Sequence, residues 1–213
     1  MAAKARLSTA NFPVWTTAVC ASAALLYMMP TLESLLIYDR TAIAHGELWR
    51  LASGNLVHLS PTHLGYDLGA LLIAGTIIEI RGYRLFPLLC FFASMLVGIT
   101  IFKFEPTIHF YGGLSGVVTA AVTYLCLHGL LEKGVWRWLC SAFLAGLTAK
   151  IGVELMLGQS FLLATSAEEF VPVPLSHLAG GITATILFVM TRFRIKHTQH
   201  KLQNSISQSD AIP

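Results

Sequence analysis

Apolar residues fall in six long runs, about 12–30, 62–80, 85–103, 112–131, 135–157 and 174–191, separated by short polar breaks. Each run is close to the roughly 20 residues that an α-helix needs to cross a bilayer core. Helices are the default spanning element, because a chain in hydrocarbon must satisfy its own backbone N–H and C=O groups. The breaks are sharp. Pro30 closes the first run, and Arg81-Gly82-Tyr83-Arg84 divides the second from the third. Glu105-Pro106 and Glu132-Lys133-Gly134 bound the fourth, and Glu168-Glu169 with Pro172 and Pro174 precede the sixth. The expectation is an all-α membrane protein, a bundle of six transmembrane helices over residues 12–196. It is flanked by a short N-terminus, 1–11, and a disordered polar tail, 197–213.

The 31–61 connection breaks the pattern. It is too long for a turn, and it scatters Leu35, Leu36, Ile37 and Leu51 around Trp49-Arg50. A long connection with its own apolar face is usually functional or partly helical. It is expected to lie in the outer membrane interface, with Trp49 as an anchor.

Composition supports the same class. Of the 213 residues, 55% are hydrophobic and 12% charged, against about 25% charged in soluble domains. No soluble domain of useful size remains beside six spans. The four cysteines, Cys20, Cys90, Cys126 and Cys140, all fall in apolar runs without metal-ligand spacing. They read as small buried hydrophobes. Lys4 and Arg6 ahead of an apolar run and Ala21-Ser22-Ala23 resemble a cleavable signal peptide. The run continues past that site through Leu25, Leu26 and Met29, so an uncleaved first span is expected.

The sorting of charge gives an orientation. One side carries Lys4, Arg6, Arg81, Arg84, Lys133, Arg137, Arg192, Arg194, Lys196 and Lys201, and the other only Arg40, Arg50 and Lys103. Cytoplasmic loops hold the excess of Lys and Arg, which puts both termini in the cytoplasm and the 31–61 connection outside.

Polar residues inside the spans are the candidates for chemistry, because hydrocarbon makes them expensive. Ser115 lies in Tyr111-Gly112-Gly113-Leu114-Ser115-Gly116 at the start of the fourth run. His177 opens the sixth, and His63 and Asp67 open the second. With the second, fourth and sixth spans all running inward, these groups sit roughly 5–10 Å below the outer interface. A serine hydroxyl needs a base to become a nucleophile, and histidine is the usual one. Acyl transfer also needs donors aimed at the developing oxyanion, and the glycines at 112, 113 and 116 let backbone N–H groups approach closely. His63 could add a side-chain donor. Taken alone, each residue has a plainer reading: membrane serines mostly pack or bond backbone. The set on three helices at one depth is what points to a hydrolase.

These residues carry a resemblance. Gly112-Gly113-Leu114-Ser115-Gly116-Val117-Val118 and His177-Leu178-Ala179-Gly180-Gly181 look like the fourth and sixth helices of a bacterial rhomboid intramembrane serine protease. His58, His63 and Asp67, with Trp49-Arg50, match rhomboid landmarks in the second helix and first loop. The resemblance implies a dyad of Ser115 and His177 with no catalytic acid. It also implies an oxyanion hole from the Ser115 N–H and His63, with Gly113, Leu114 and Asp67 in oxyanion or substrate contact. No cofactor or metal is implied. The partners are transmembrane protein substrates and the lipid bilayer, with no nucleic acid, and the location is a bacterial inner membrane. The small single-domain build is also similar to rhombosortases, which process C-terminal sorting anchors.

Two positions depart from the family pattern. Asparagine is usual where this chain has Asp67, and tyrosine often stands where it has Thr119. A carboxylate beside an oxyanion would oppose the transition state, so Asp67 is expected to be a protonated hydrogen-bonding acid. Both departures keep an alternative open, a rhomboid-like pseudoprotease that binds membrane helices. A small transporter is the third reading, but transport sites lie near the midplane, not at one face. Two more charges need an account. Lys150 and Glu154 are spaced for an intramembrane salt pair, with a role in gating as a second reading. Glu79 is expected to pair with Arg81 or Arg84. His58 reads either as a structural cap of the second span or as a wall of the site.

Overall fold

The computed structural model describes residues 12–157 and 173–209, the last helix from residue 194 by its backbone alone. The N-terminal segment 1–11, Glu168-Glu169 and residues 210–213 lie outside it. The chain folds as α1 (Val14–Tyr27), α2 (Pro30–Leu36), β1 (Tyr38–Asp39), α3 (Arg40–Ala44), α4 (Arg50–Ser53), a 3₁₀ turn (Gly54–Leu56), α5 (Pro61–Ile80), α6 (Phe86–Phe104), β2 (Phe110–Tyr111), α7 (Ser115–Gly129), α8 (Val135–Leu157) and α9 (Pro174–Ser209). It is an all-α membrane bundle with, among the described residues, one two-residue strand pair, Tyr38 against Tyr111 and Asp39 against Phe110, antiparallel.

By length and composition, α5, α6, α8 and the Pro174–Phe193 part of α9 are long and apolar enough to cross a membrane. The first run bends by 112° between α1 and α2. Pro30 enforces that break, because a proline ring clashes with the preceding helical turn and donates no N–H. The fourth run is shorter than its apolar stretch: Gly112 and Gly113 stay outside the helix behind β2, so α7 has 15 residues. That is roughly 22 Å of helix in a core of about 30 Å. The sixth helix runs longer than expected. Residues 197–209, read from composition as disordered tail, continue α9 to Ser209. No glycine or proline lies between Ile182 and Ser209 to stop it.

α7 is the axis of the bundle, touching α5, α6, α8 and α9. Its buried Val117, Ala120, Ala121 and Tyr124 form a core with Leu71, Ala74 and Ile78 of α5 and Phe86 and Leu89 of α6. The four cysteines are buried and unbridged.

The start of α1 and the end of α5 are tied by polar contacts. Glu79 accepts from the N–H groups of Trp15 (3.1 Å) and Thr16 (2.7 Å) and from the Thr16 hydroxyl (2.6 Å). Glu79 therefore caps α1 and does not pair with Arg81 or Arg84, as the sequence had suggested. An acid is favourable there because a helix N-terminus exposes unpaired N–H groups at its positive end. Arg81 instead meets Glu132 (2.6 Å) and lies over the Trp136 ring. Tyr83 also donates to Glu132.

The 31–61 connection is folded, not loose. Trp49 is 55% exposed and, with Leu35 and Leu48, leaves an apolar face outward. Arg50 turns inward: Nε meets Glu47 Oε2 (2.7 Å), and Nη1 donates to the carbonyls of Ser34 (3.0 Å) and Ile37 (2.9 Å). Arg40 Nη2 donates to the Phe102 carbonyl (2.6 Å), satisfying the end of α6.

Candidate active site

Three connections converge on the start of α7. β2 delivers Tyr111, pinned to β1, and the chain then passes Gly112 and Gly113 before the helix begins. A side chain at Gly112 would meet the Val57 carbonyl oxygen at 2.8 Å. Gly113 has φ +137°, a left-handed backbone that favours glycine, and the His63 ring lies where its Cβ would be. Gly113 and His63 are therefore in direct contact.

Leu114 is buried, and its N–H points at His58 Nε2 (3.3 Å). Ser115 is the first residue of α7 and half-buried. The first N–H groups of a helix have no intrahelical acceptor, so the backbone at Ser115 and Gly116 offers donors with the positive end of the helix dipole behind them. Thr119, where related helices often have tyrosine, returns its hydroxyl to the Ser115 carbonyl (2.9 Å). It offers no ring to any histidine.

α5 supplies the second group. Ser60 caps its N-terminus by accepting from the His63 N–H (3.3 Å), with Pro61 at the first helical position, where a missing N–H costs nothing. This cap sets the register that buries His63 and Asp67 one turn apart. Asp67 Oδ2 lies 3.2 Å from His63 Nε2 and 3.1 Å from His58 Nε2. Asp67 thus joins the two rings, and His58 is part of the same cluster and not only a neighbour of the cap. The ligand atoms of His58, His63 and Asp67 lie within 4.8 Å of one another, close enough to hold a metal ion. The same atoms are already engaged in hydrogen bonds to each other and to the Leu114 N–H.

α9 brings His177, buried in its first turn. A Cβ at Gly180 would strike the Gly116 carbonyl oxygen, and one at Gly116 would lie 2.9 Å from the Ser176 carbonyl. Small residues on both helices let the backbones touch, which sets the first turn of α7 against the first turn of α9. The Tyr111 hydroxyl donates to the Gly113 carbonyl (3.3 Å). Groups from α5, α7 and α9 therefore share one neighbourhood.

One partner of His177 was not foreseen. Its Nδ1 lies 2.9 Å from Glu154 Oε2 and 3.4 Å from Lys150 Nζ, both on α8. Lys150 and Glu154 do form the i,i+4 pair their spacing suggested, at 2.7 Å. The only sequence signal for more was the presence of a carboxylate in hydrocarbon at all.

Residues 45–194 match the Rhomboid domain. No curated protein matches the chain.

Proposed function

The chain belongs to the rhomboid family, and from that premise we propose that it is an intramembrane serine endopeptidase cutting transmembrane-anchored proteins near the outer face of the membrane. Ser115 is the nucleophile and His177 the base. The supporting observation is the close packing of α7 on α9 through Gly116 and Gly180, with Ser115 and His177 in the two first turns. The His177 Nδ1 is occupied by α8, which leaves Nε2 for the serine proton.

In this reading Ser115 Oγ attacks the scissile carbonyl while its proton passes to His177 Nε2. The carbonyl oxygen becomes an oxyanion held by the Ser115 N–H and His63. The imidazolium returns its proton to the leaving amine as the C–N bond breaks. Water, activated by the same histidine, then releases the acyl group. Labelling of the purified protein at Ser115 by a fluorophosphonate tests the assignment. An unlabelled serine favours the alternative, an inactive binder of membrane helices, which Asp67 and Thr119 keep in view.

Asp67 takes a specific part. Its oxygen meets both histidines and not the serine loop, so it serves the oxyanion through His63. An uncharged group in this contact orients the His63 ring without opposing the oxyanion. Asparagine does the same with its amide. Asp67→Asn is therefore expected to keep near-normal turnover, and Asp67→Ala to lose roughly 10²-fold, the scale of one oxyanion contact. If Asp67→Asn proves as dead as Ser115→Ala, Asp67 acts as a charge and the neutral-acid assignment fails.

The topology completing this reading is six spans, with the bent α1–α2 pair and the short α7 added to the four long helices. Both termini face the cytoplasm of a bacterial inner membrane. Phosphatase fusions should be active in the 31–61 connection and silent at the C-terminus. An active C-terminal fusion rules out the six-span count. The small single-domain build further suggests the rhombosortase branch, with C-terminal sorting anchors as substrates.

A further inference from the structure

Glu154 is 0% exposed, in a helix that is otherwise mostly apolar. A carboxylate in such a place is costly unless its charge and lone pairs are met. Lys150 alone could meet the charge, one turn away on the same helix and 27% exposed. That pair needs nothing from α9. Yet the second carboxylate oxygen turns to His177 Nδ1 on the neighbouring helix.

The hydrogen-bond inventory fixes the consequence. A lysine ammonium has only donors and a carboxylate only acceptors. Lys150 donates to Oε1 at 2.7 Å, and Oε2 is left to accept from a ring N–H at 2.9 Å. The 3.4 Å approach of Lys150 to Nδ1 is the weaker contact and would demand a bare nitrogen there. The charge-assisted bond to Glu154 wins, so the neutral ring carries its proton on Nδ1. The other nitrogen, Nε2, is then bare, which is the tautomer a general base needs.

We propose that Glu154 is a positioning residue for His177, completing a Ser115–His177–Glu154 relay in which Lys150 steadies the carboxylate. The proposal rests on the assignment of Ser115 and His177 above. During attack, the Ser115 proton moves to Nε2 as the Oγ–C bond forms and the carbonyl π pair moves to oxygen. The ring becomes an imidazolium between Glu154 and the substrate. Glu154 takes no proton; its charge faces the new positive charge, and its hydrogen bond holds the ring plane. The same bond does by charge what a stacked tyrosine at position 119 would do by contact, and position 119 is threonine.

The test is Glu154→Gln in the full chain, with ¹⁵N-histidine NMR beside kinetics on a transmembrane substrate. Glutamine keeps shape and volume but offers its amide N–H₂ to Nδ1, driving the ring proton to Nε2. The expected result is a kcat lower by roughly 10²- to 10⁴-fold with KM unchanged, the pattern of a wrong-tautomer histidine. The His177 spectrum should shift from the Nδ1–H to the Nε2–H form. A residue that merely held α8 in place would lower the melting temperature and leave the tautomer alone. The wild-type spectrum is a check that needs no variant. Wild-type protein that labels and cuts while its neutral His177 is protonated at Nε2 overturns the relay. So does Glu154→Gln at wild-type kcat. Either result leaves Ser115 and His177 standing. Failure of wild-type Ser115 to label, in contrast, removes the protease reading beneath the relay.

Discussion

Ser115→Ala and His177→Ala should each reduce cleavage by roughly 10⁴- to 10⁶-fold while the protein still folds and inserts, and Ser115→Ala should melt as the wild type does. Groups that act as one unit are grossly non-additive, so the double variant should be no slower than either single one. The expectation rests on the packing of α7 on α9, which sets their first turns side by side, and on the helix-start N–H groups around Ser115. Alanine at 115 removes only a hydroxyl from a half-buried position. Loss of activity therefore cannot be put down to a collapsed core, and the melting curve checks this directly. Purified Ser115→Ala that turns over substrate at near-normal rate ends the serine-protease reading.

Gly180→Ala is the second large effect expected. One methyl group there would strike the Gly116 carbonyl and come within 3.2 Å of the Ala120 nitrogen. Both obstacles are backbone and cannot swing aside. The two helices must separate, at about 1–3 kcal/mol for overpacking. A misplacement of about 1 Å between reacting groups costs on the order of 10²-fold in rate. Turnover should fall by at least that factor, with a lower melting temperature. Gly181→Ala is the matched control: its nearest neighbour is the Thr123 hydroxyl at 3.9 Å, so activity should be unchanged. Equal behaviour of the two variants would mean that the Gly116–Gly180 contact does not set the site.

The apolar runs announced most of the bundle, because burial in lipid writes a long, nearly uninterrupted pattern. Ser115, His63 and His177 stood out for the converse reason: polar groups in such runs are rare. What stayed hidden depends on partners far away in sequence. Arg81 and Arg84 are the cations nearest Glu79 along the chain, but its partner is the unpaired start of α1, 63 residues away at Thr16, and a helix N-terminus has no letter of its own. The charge pair at 150 and 154 explained itself locally, and so concealed the third member on α9. The two-residue strands that pin Tyr111 are too short to leave a period. α9 outran its apolar stretch because polarity marks where a helix leaves lipid, not where it stops.

The shortness of α7 has a consequence for the surrounding lipid. A 15-residue helix facing the acyl chains would force the bilayer to thin around it. Here the helix is ringed by α5, α6, α8 and α9, so its neighbours present the full apolar height and the mismatch is screened. The missing turns are taken up inside the protein, where β2 and the Gly112-Gly113 step lead into the helix, and not as a dent in the membrane. Turnover should accordingly depend little on the acyl-chain length of the host bilayer, so long as the outer helices still match it.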